Sequence, residues 1–210
     1  TDKGDFSPEK ISAVDMGYVF ENLVRRFSES YNEEAGAHFT SRDIIYLMSD
    51  LLVAGDESAF TGDGISKTVY DMTMGTSQML TCMEERLKQM DADADVTVFG
   101  QEFNPFTFGI AKADMLIRGG DPNNMQFGDT LSDDKFSGYK FDYIISNPPF
   151  GISWKREESE VKKEFKKGEA GRFAPGLPGI KDGQLLFMLN GLAKLKDDGQ
   201  MTIIQSGSSL

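Results

Sequence analysis

Phe141-Asp142-Tyr143-Ile144-Ile145-Ser146-Asn147-Pro148-Pro149-Phe150 is the stretch whose reading decides the fold. Residues 141–146 are nearly continuous in apolar, aromatic and β-branched side chains, as expected of a central strand of a parallel sheet, buried on both faces. Two prolines then stop it. Proline fixes φ at about −65° and has no N–H for a sheet ladder, so the turn leaves carbonyls free at the strand's end. The Asn147 side-chain oxygen and the Pro148 carbonyl can together accept both hydrogens of an exocyclic amine. Phe150 can stack on the flat ring that carries such an amine. Taken alone, the same residues also fit a plain proline-rich turn.

Working outward, short β-rich runs alternate with helical stretches. Thr68–Tyr70, Val96–Gly100, Met125–Phe127 and Met201–Ile204 are the other strand candidates. Met79–Met90, Pro105–Arg118 and Leu185–Leu195 read as helices. Such alternation means βαβ units, hence an α/β fold with a mostly parallel sheet and helices on both faces. Upstream, residues 1–35 read as helical, with Ser7-Pro8-Glu9 as N-cap and apolar positions at Val14, Tyr18, Leu23 and Phe27. Thr40-Ser41-Arg42-Asp43 opens a further helix with an apolar stripe of Ile44, Ile45, Leu47, Met48, Leu51 and Leu52. The expected organisation is a helical lead over 1–55 and an α/β domain over 56–210, cut after its fifth strand. Trp154 to Gly183 is charged and punctuated by Gly and Pro. It is too long for a plain connection and is expected to be functional or mobile.

In open α/β sheets, ligands bind beyond the carboxyl ends of the strands. The residues just past each strand are therefore the candidate site: Asp71 and Met72-Thr73-Met74-Gly75-Thr76-Ser77, then Gln101, Glu102 and Asn104, then Gly128-Asp129-Thr130, then Asn147 to Phe150. A solvated carboxylate is the ordinary fate of any one of these acids.

The 210 residues carry 34 Asp and Glu against 22 Lys and Arg, a net charge of −12. That balance excludes a chain that grips DNA tightly on its own, which needs surplus cations for the phosphates. The charge is uneven: −14 over residues 1–150 and +2 over 151–182. The single cysteine, Cys82, rules out an intrachain disulfide and reads as a small buried hydrophobe. The single histidine, His38, has no Cys or His cluster around it, so no structural metal is expected. No apolar run reaches the length of a membrane span and no leader is visible, so a cytoplasmic location is expected.

Asn-Pro-Pro-Phe after the fourth strand resembles the signature of amino-group methyltransferases that use S-adenosyl-L-methionine. The wider pattern, from about Ala13 to Leu210, resembles the DNA-methylating modification subunit of type I restriction–modification systems, the N6-adenine class. Gly36-Ala37-His38-Phe39-Thr40-Ser41-Arg42 is similar to that family's Phe-Thr-Pro-Arg segment. Asp71 to Leu80 is similar to its cofactor loop, Gly100 to Pro105 to its second-strand acidic motif, and Gly128 to Leu131 to its third. Gly171-Arg172-Phe173, Asp182-Gly183 and the helix after them resemble its lead into the fifth strand.

The resemblance implies a Rossmann-like S-adenosylmethionine-dependent methyltransferase fold and transfer of a methyl group to a flipped adenine. It implies catalytic roles for Asn147, Pro148, Pro149 and Phe150. It implies cofactor contacts from Phe39, Thr40, Asp71, Gly75, Thr76, Glu102 and Asp129: Glu102 on the ribose hydroxyls, Asp129 on the adenine amine, and Asp71 with Gly75-Thr76 on the methionine end. The implied partners are DNA, a specificity subunit and a second modification subunit, with a restriction subunit as an optional further one. Lys155, Arg156, Lys162, Lys163, Lys166, Lys167 and Arg172, with Trp154 close by, are candidates to track phosphates. A solvated mixed-charge segment is the competing reading.

This chain departs from the family loop at Met72 and Ser77-Gln78, where the family has Pro and paired glycines, and at Ser41. Ser77 and Gln78 are expected to narrow the pocket, since Gly permits closer backbone approach. Two other readings stay open on the residues alone. One is an amino methyltransferase acting on RNA or on a protein glutamine. The other is a catalytically degenerate scaffold subunit.

Overall fold

The computed structural model describes Val19, Asn22, Leu23, residues 40–56, Phe60 and residues 64–207. Val19, Asn22 and Leu23 are helical. The rest of the expected helix over 1–35, with His38 and Phe39, lies outside the described residues.

The described elements run α1 (Arg42–Val53), β1 (Ser66–Asp71), α2 (Gln78–Met90), β2 (Asp95–Glu102), α3 (Pro105–Ile117), β3 (Met125–Phe127), β4 (Phe141–Ser146), α4 (Glu158–Phe165), α5 (Gln184–Ala193) and β5 (Leu195–Ile203). The strands form one sheet in the order β3-β2-β1-β4-β5, and every pairing is parallel. The order reverses beside β1, whose neighbours are β2 and β4. The carboxyl ends of β1 and β4 therefore flank the crevice where an α/β sheet takes its ligand.

Alternation along the central strands divides the core in two. Val69, Tyr143 and Ile145 face a layer formed by Ile45, Met48 and Leu52 of α1, Met79, Met83 and Leu87 of α2, and Ala111 and Met115 of α3. Tyr70 and Ile144 face the other way, onto Leu186, Phe187 and Leu189 of α5 with Phe136, Trp154, Val161 and Phe173. Both faces are covered, which is why β4 can be apolar throughout. Tyr70 stacks on Phe141 with ring centroids 4.6 Å apart. Cys82 is buried in the first layer.

Local chemistry sets the helix ends. The Asn104 side chain accepts from the N–H groups of Phe106 and Thr107, and Pro105 fills the first helical position, where no N–H is needed. The apolar stripe expected on α1 divides: Ile45, Met48 and Leu52 are buried, whereas Ile44, Leu47 and Leu51 are exposed.

Two expectations are corrected. β5 begins at Leu195, six residues before the expected Met201, and absorbs Lys196-Asp197-Asp198-Gly199 as an irregularity. Leu195 pairs with Phe141 and Gln200 with Tyr143, so four residues bulge opposite Asp142, whose carboxylate takes the Lys196 ammonium at 2.7 Å. A polar, glycine-containing run reads as a turn; here both ends are paired to the same neighbour strand. Second, Trp154 to Gly183, expected to be functional or mobile, is packed against the sheet rather than loose. Trp154, Val161 and Phe173 are buried in the second core layer, and Trp154 Nε1–H donates to Gly179 O at 2.9 Å. Each such apolar side chain contributes roughly 1.5–3 kcal/mol on burial, which holds the segment to the sheet.

Candidate active site

Asp71 ends β1, Glu102 ends β2, Phe127 ends β3 and Ser146 ends β4, so their successors gather at one edge of the sheet. Asp71 is fully buried. Its Oδ1 accepts from Ser146 Oγ at 2.6 Å and from the Thr73 N–H at 3.0 Å, and Thr73 Oγ1 lies 2.9 Å from Ser146 Oγ. Its Oδ2 is buried with no partner among the described residues. Burial pushes the Asp71 carboxyl up to about 7; the Ser146 and Thr73 hydrogen bonds oppose the rise, and the Glu102 charge adds to it. An acid with one oxygen fixed and the other bare is arranged to meet a cation or an N–H donor.

The loop after β1 is tied to β2 by Glu102. The Gly75 N–H donates to Glu102 Oε2 at 2.9 Å, the Asn104 N–H donates to Oε1 at 2.7 Å, and the Met74 N–H donates to Gln101 O at 3.1 Å. Gly75 holds φ +53°, in the left-handed region. The approach also needs Gly100, where a Cβ would lie 2.2 Å from the Met74 sulfur. Thr76 is half-buried in the same loop.

Two of the three departures in this loop, Met72 and Ser77, turn into the fold. Met72 is fully buried, its sulfur taking the Asn190 amide N–H at 3.5 Å. Ser77 has φ +69°, the conformation a glycine would hold there, and is also buried. Its hydroxyl donates to Asp114 Oδ2 at 3.3 Å, between α2 and α3, as does that of Thr81. Gln78 is the first residue of α2. The expected narrowing by Ser77 therefore does not occur: its side chain is spent on Asp114.

Asp129 is half-buried, and its Oδ1 closes a turn by accepting from the N–H groups of Leu131 and Ser132 and from Ser132 Oγ, at 2.9, 2.9 and 3.0 Å. The neighbouring Thr130 hydroxyl donates to Met72 O, so this loop is bound to the loop after β1. Phe103 and Phe127, at the tips of β2 and β3, are 64% and 47% exposed, a large apolar area left open beside the acids.

Asn147 follows β4. Its Nδ2–H donates to Thr40 Oγ1 at 3.0 Å, while its Oδ1 is buried without a partner among the described residues. Pro148 is buried, and Pro149 and Phe150 are exposed. Ser146, the residue before Asn147, is the one that holds Asp71.

Lys162, Lys163 and Lys167 pair with Glu158, Glu160 and Glu164 one helical turn away, whereas Lys155, Arg156 and Lys166 are exposed without a carboxylate partner among the described residues. Arg172, one of the side chains suggested for phosphates, and Trp154 close by are turned into the fold. Trp154 is buried. Arg172 points inward, donating to Thr130 O at 2.7 Å, Asn190 Oδ1 at 2.9 Å and Leu131 O at 3.3 Å, with Nε 3.5 Å from Asp134 Oδ2.

Sequence reading included Thr73 in the candidate site without a role and missed Ser146 and the Asp134–Arg172–Lys194 cluster. Ser146 was signalled by position, a hydroxyl immediately before the Asn-Pro-Pro turn. The cluster had no local signal, since its members come from three distant segments. Among the described residues no group of three or more His, Cys, Asp or Glu is arranged to hold a metal ion, and no helix is long and apolar enough to cross a membrane.

The comparisons with known proteins agree on the kind of protein. The type I restriction enzyme HindI methylase subunit of Haemophilus influenzae is 25% identical over 206 residues, 97% of this chain and 43% of that protein. The MjaIX methylase subunit of Methanocaldococcus jannaschii is 22% identical over 197 residues, 93% of this chain and 33% of that protein. The chain thus spans less than half the length of these curated relatives. The crystal structure of a type I restriction–modification methyltransferase subunit from Streptococcus thermophilus superposes with a TM-score of 0.71 at 25% identity, over 92% of this chain and 39% of that one. A Listeria monocytogenes protein assigned to the class I S-adenosylmethionine-dependent methyltransferases shares the fold, with a TM-score of 0.73 at 16% identity, over 97% of this chain and 57% of that one. The model of the N-6 DNA methylase family matches residues 12–210. With the switch-point crevice, the buried acid and the Asn-Pro-Pro-Phe turn in their places, the chain belongs to the N-6 DNA methylase family.

Proposed function

We propose that this chain is the catalytic part of an adenine-N6 DNA methyltransferase, the modification subunit of a type I restriction–modification system. The observation that carries this reading is the buried, unpartnered Asn147 Oδ1 beside the Pro148 carbonyl at the sheet's switch point. A buried acceptor left bare costs stability, and Asn147 Oδ1 has no donor among the described residues, which suits it to take one from a ligand. An amine is such a donor. The adenine amine is held by Asn147 Oδ1 and the Pro148 carbonyl, which accept its two hydrogens and favour the positive charge that grows on nitrogen. Catalysis is then mainly positioning and electrostatics. With the amine so held, its surplus proton would leave to water after methylation.

S-adenosylmethionine, when bound, supplies an electrophilic methyl group on a sulfonium. The donor set of the crevice fits that cationic, ribose-bearing molecule. Asp71 Oδ2 is free for the ammonium of the methionine end. Glu102 is engaged through one lone pair of each oxygen, leaving others for a diol. Asp129 with the exposed Phe103 and Phe127 suits an adenine ring. A base paired in duplex DNA cannot reach the crevice, so the adenine must be flipped out, at a cost of a few kcal/mol, with the exposed Phe150 as its new stacking partner. Partners follow from the same reading: DNA, a specificity subunit and a second modification subunit, with a restriction subunit as an optional further one, in the cytoplasm.

The direct test is transfer of labelled methyl groups from S-adenosylmethionine to DNA by the full-length protein with its specificity subunit. N6-methyladenine in the product supports the reading. Transfer to RNA or to a protein glutamine alone, or none to any acceptor, would sink it.

Cofactor affinity should depend on pH through Asp71. Its folded pKa is raised, so the uncharged carboxyl favours the cofactor-free fold at low pH, and that contribution is lost as pH rises through about 7. A cationic ligand needs the carboxylate. Binding measured by calorimetry should therefore strengthen from pH 6 towards 8, by up to about tenfold per unit below 7, and level off above. Asp71→Asn should bind weakly and with a flat pH profile. A flat profile for the unaltered protein would remove Asp71 from the binding site.

For DNA, the free cations matter more than the paired ones. Lys155→Ala, Arg156→Ala and Lys166→Ala should each lower the slope of log affinity against log salt by about one. Lys162→Ala, Lys163→Ala and Lys167→Ala should change it less, because each cation is already neutralised by a glutamate on the same helix or at its end. Equal effects from both sets would show that the ion pairs open on DNA.

A further inference from the structure

Thr40 stands just ahead of α1, far from Asn147 in sequence, yet its hydroxyl oxygen is the acceptor for Asn147 Nδ2–H at 3.0 Å. The Thr40 Oγ1 lies 3.9 Å from the Met79 sulfur, a weak acceptor for its proton. With that proton directed to sulfur, the hydroxyl lone pairs face Asn147. An amide has two nearly isosteric ends, and its orientation is decided by the hydrogen bonds around it. Here one end is fixed by Thr40 as the nitrogen. The other end, the buried and unpartnered Oδ1, must then be the oxygen.

We infer that Thr40 is a positioning residue for Asn147: by accepting from Nδ2 it holds the amide with its oxygen outward, and so makes the site accept an amine rather than a carbonyl. This rests on the function proposed above and assigns Thr40 a role on the methyl acceptor's side of the crevice, distinct from the cofactor contact that the family resemblance implies. Without the hydroxyl the amide is free to present its NH₂, which repels an incoming amine hydrogen. The consequence falls on the chemical step and not on cofactor affinity. Met79 is part of the device: it is buried in the first core layer and keeps the threonine proton off the amide.

The experiment compares Thr40→Val, which keeps shape and loses the hydroxyl, with Thr40→Ser, which keeps the hydroxyl. Both are made in the full-length protein assembled with its specificity subunit, and thermal melting checks folding. The expected result for Thr40→Val is a fall in kcat of about 10- to 100-fold, the range for a misoriented catalytic group, with the Kd for S-adenosylmethionine within about twofold. Thr40→Ser should recover kcat to within about threefold of the unaltered protein. In an Asn147→Ala background, Thr40→Val should cost nothing further, since the amide it orients is gone. A Thr40→Val variant that loses cofactor affinity in step with rate, or keeps full kcat, overturns the positioning role and leaves the function standing. An unaltered complex that transfers no methyl group to adenine overturns both.

Discussion

Asn147→Ala is expected to reduce methyl transfer to DNA by roughly 10²–10³-fold, with the affinity for S-adenosylmethionine changed less than about threefold. The size follows from what is removed. Asn147 Oδ1 is a fixed, buried acceptor with no other duty, and its partner Nδ2–H is tied to Thr40. Such a preorganised group stabilises charge as it develops and needs no rearrangement when the reaction occurs. Alanine leaves only the Pro148 carbonyl to hold the amine. Cofactor affinity should survive because Asp71, Glu102 and Asp129 stand on other strands or beyond them. A parallel loss of cofactor binding would make Asn147 a structural residue of the crevice. Full activity in the alanine variant would remove it from the chemistry.

Arg172→Met should lower stability by about 3–5 kcal/mol, seen as an earlier midpoint of urea unfolding. Arg172 lies inside the molecule and binds three segments at once. Its guanidinium donates to the carbonyls of Thr130 and Leu131 after β3 and to Asn190 on α5, and lies beside Asp134 and Glu164. Lys194 is the second cation of the cluster, with Nζ 2.8 Å from Asp134 Oδ2 and 2.7 Å from Phe136 O. Burial pulls the Lys194 ammonium below its ordinary pKa, and Asp134 restores part of it. Methionine would fill much of the arginine stem's volume while leaving buried carbonyls without donors. The loss should exceed that of Lys166→Ala, an exposed site expected within about 0.5 kcal/mol. A phosphate-tracking Arg172 would behave in the opposite way, with stability unchanged and a shallower salt dependence of DNA binding.

Much of the site is legible in the amino-acid sequence, because it is built from strand ends. Asp71, Glu102, Asp129 and Asn147 each follow a short apolar run, and parallel α/β topology brings such positions to one edge. Short-range chemistry also carries the capping of α3 by Asn104 and Pro105. What escapes depends on side chains choosing between partners. Nothing local distinguishes Lys162, bound to Glu158, from Lys166, which has no carboxylate partner among the described residues. Nothing local turns Arg172 inward or sends Ser77 to Asp114. The strand β5 is underestimated because a bulge containing Asp-Asp-Gly has the composition of a turn.

Sequence alone carries the α/β class, the order of the strands with α2, α3 and α5 along the chain, and the residues at the sheet's carboxyl edge, but not α4. These follow from periodicity and from proline and glycine, which act over a few residues. Only the tertiary structure decided which of those groups are left bare. Asp71 Oδ2 and Asn147 Oδ1 have no partner among the described residues, while Ser146, Thr73 and Thr40 satisfy the other ends of the same side chains. The physical reason is that hydrogen-bond satisfaction is a property of the packed whole. Thr40 meets Asn147, and Arg172 meets Asn190 and Asp134, only after the sheet has brought distant segments within about 3 Å, where a directional bond can form.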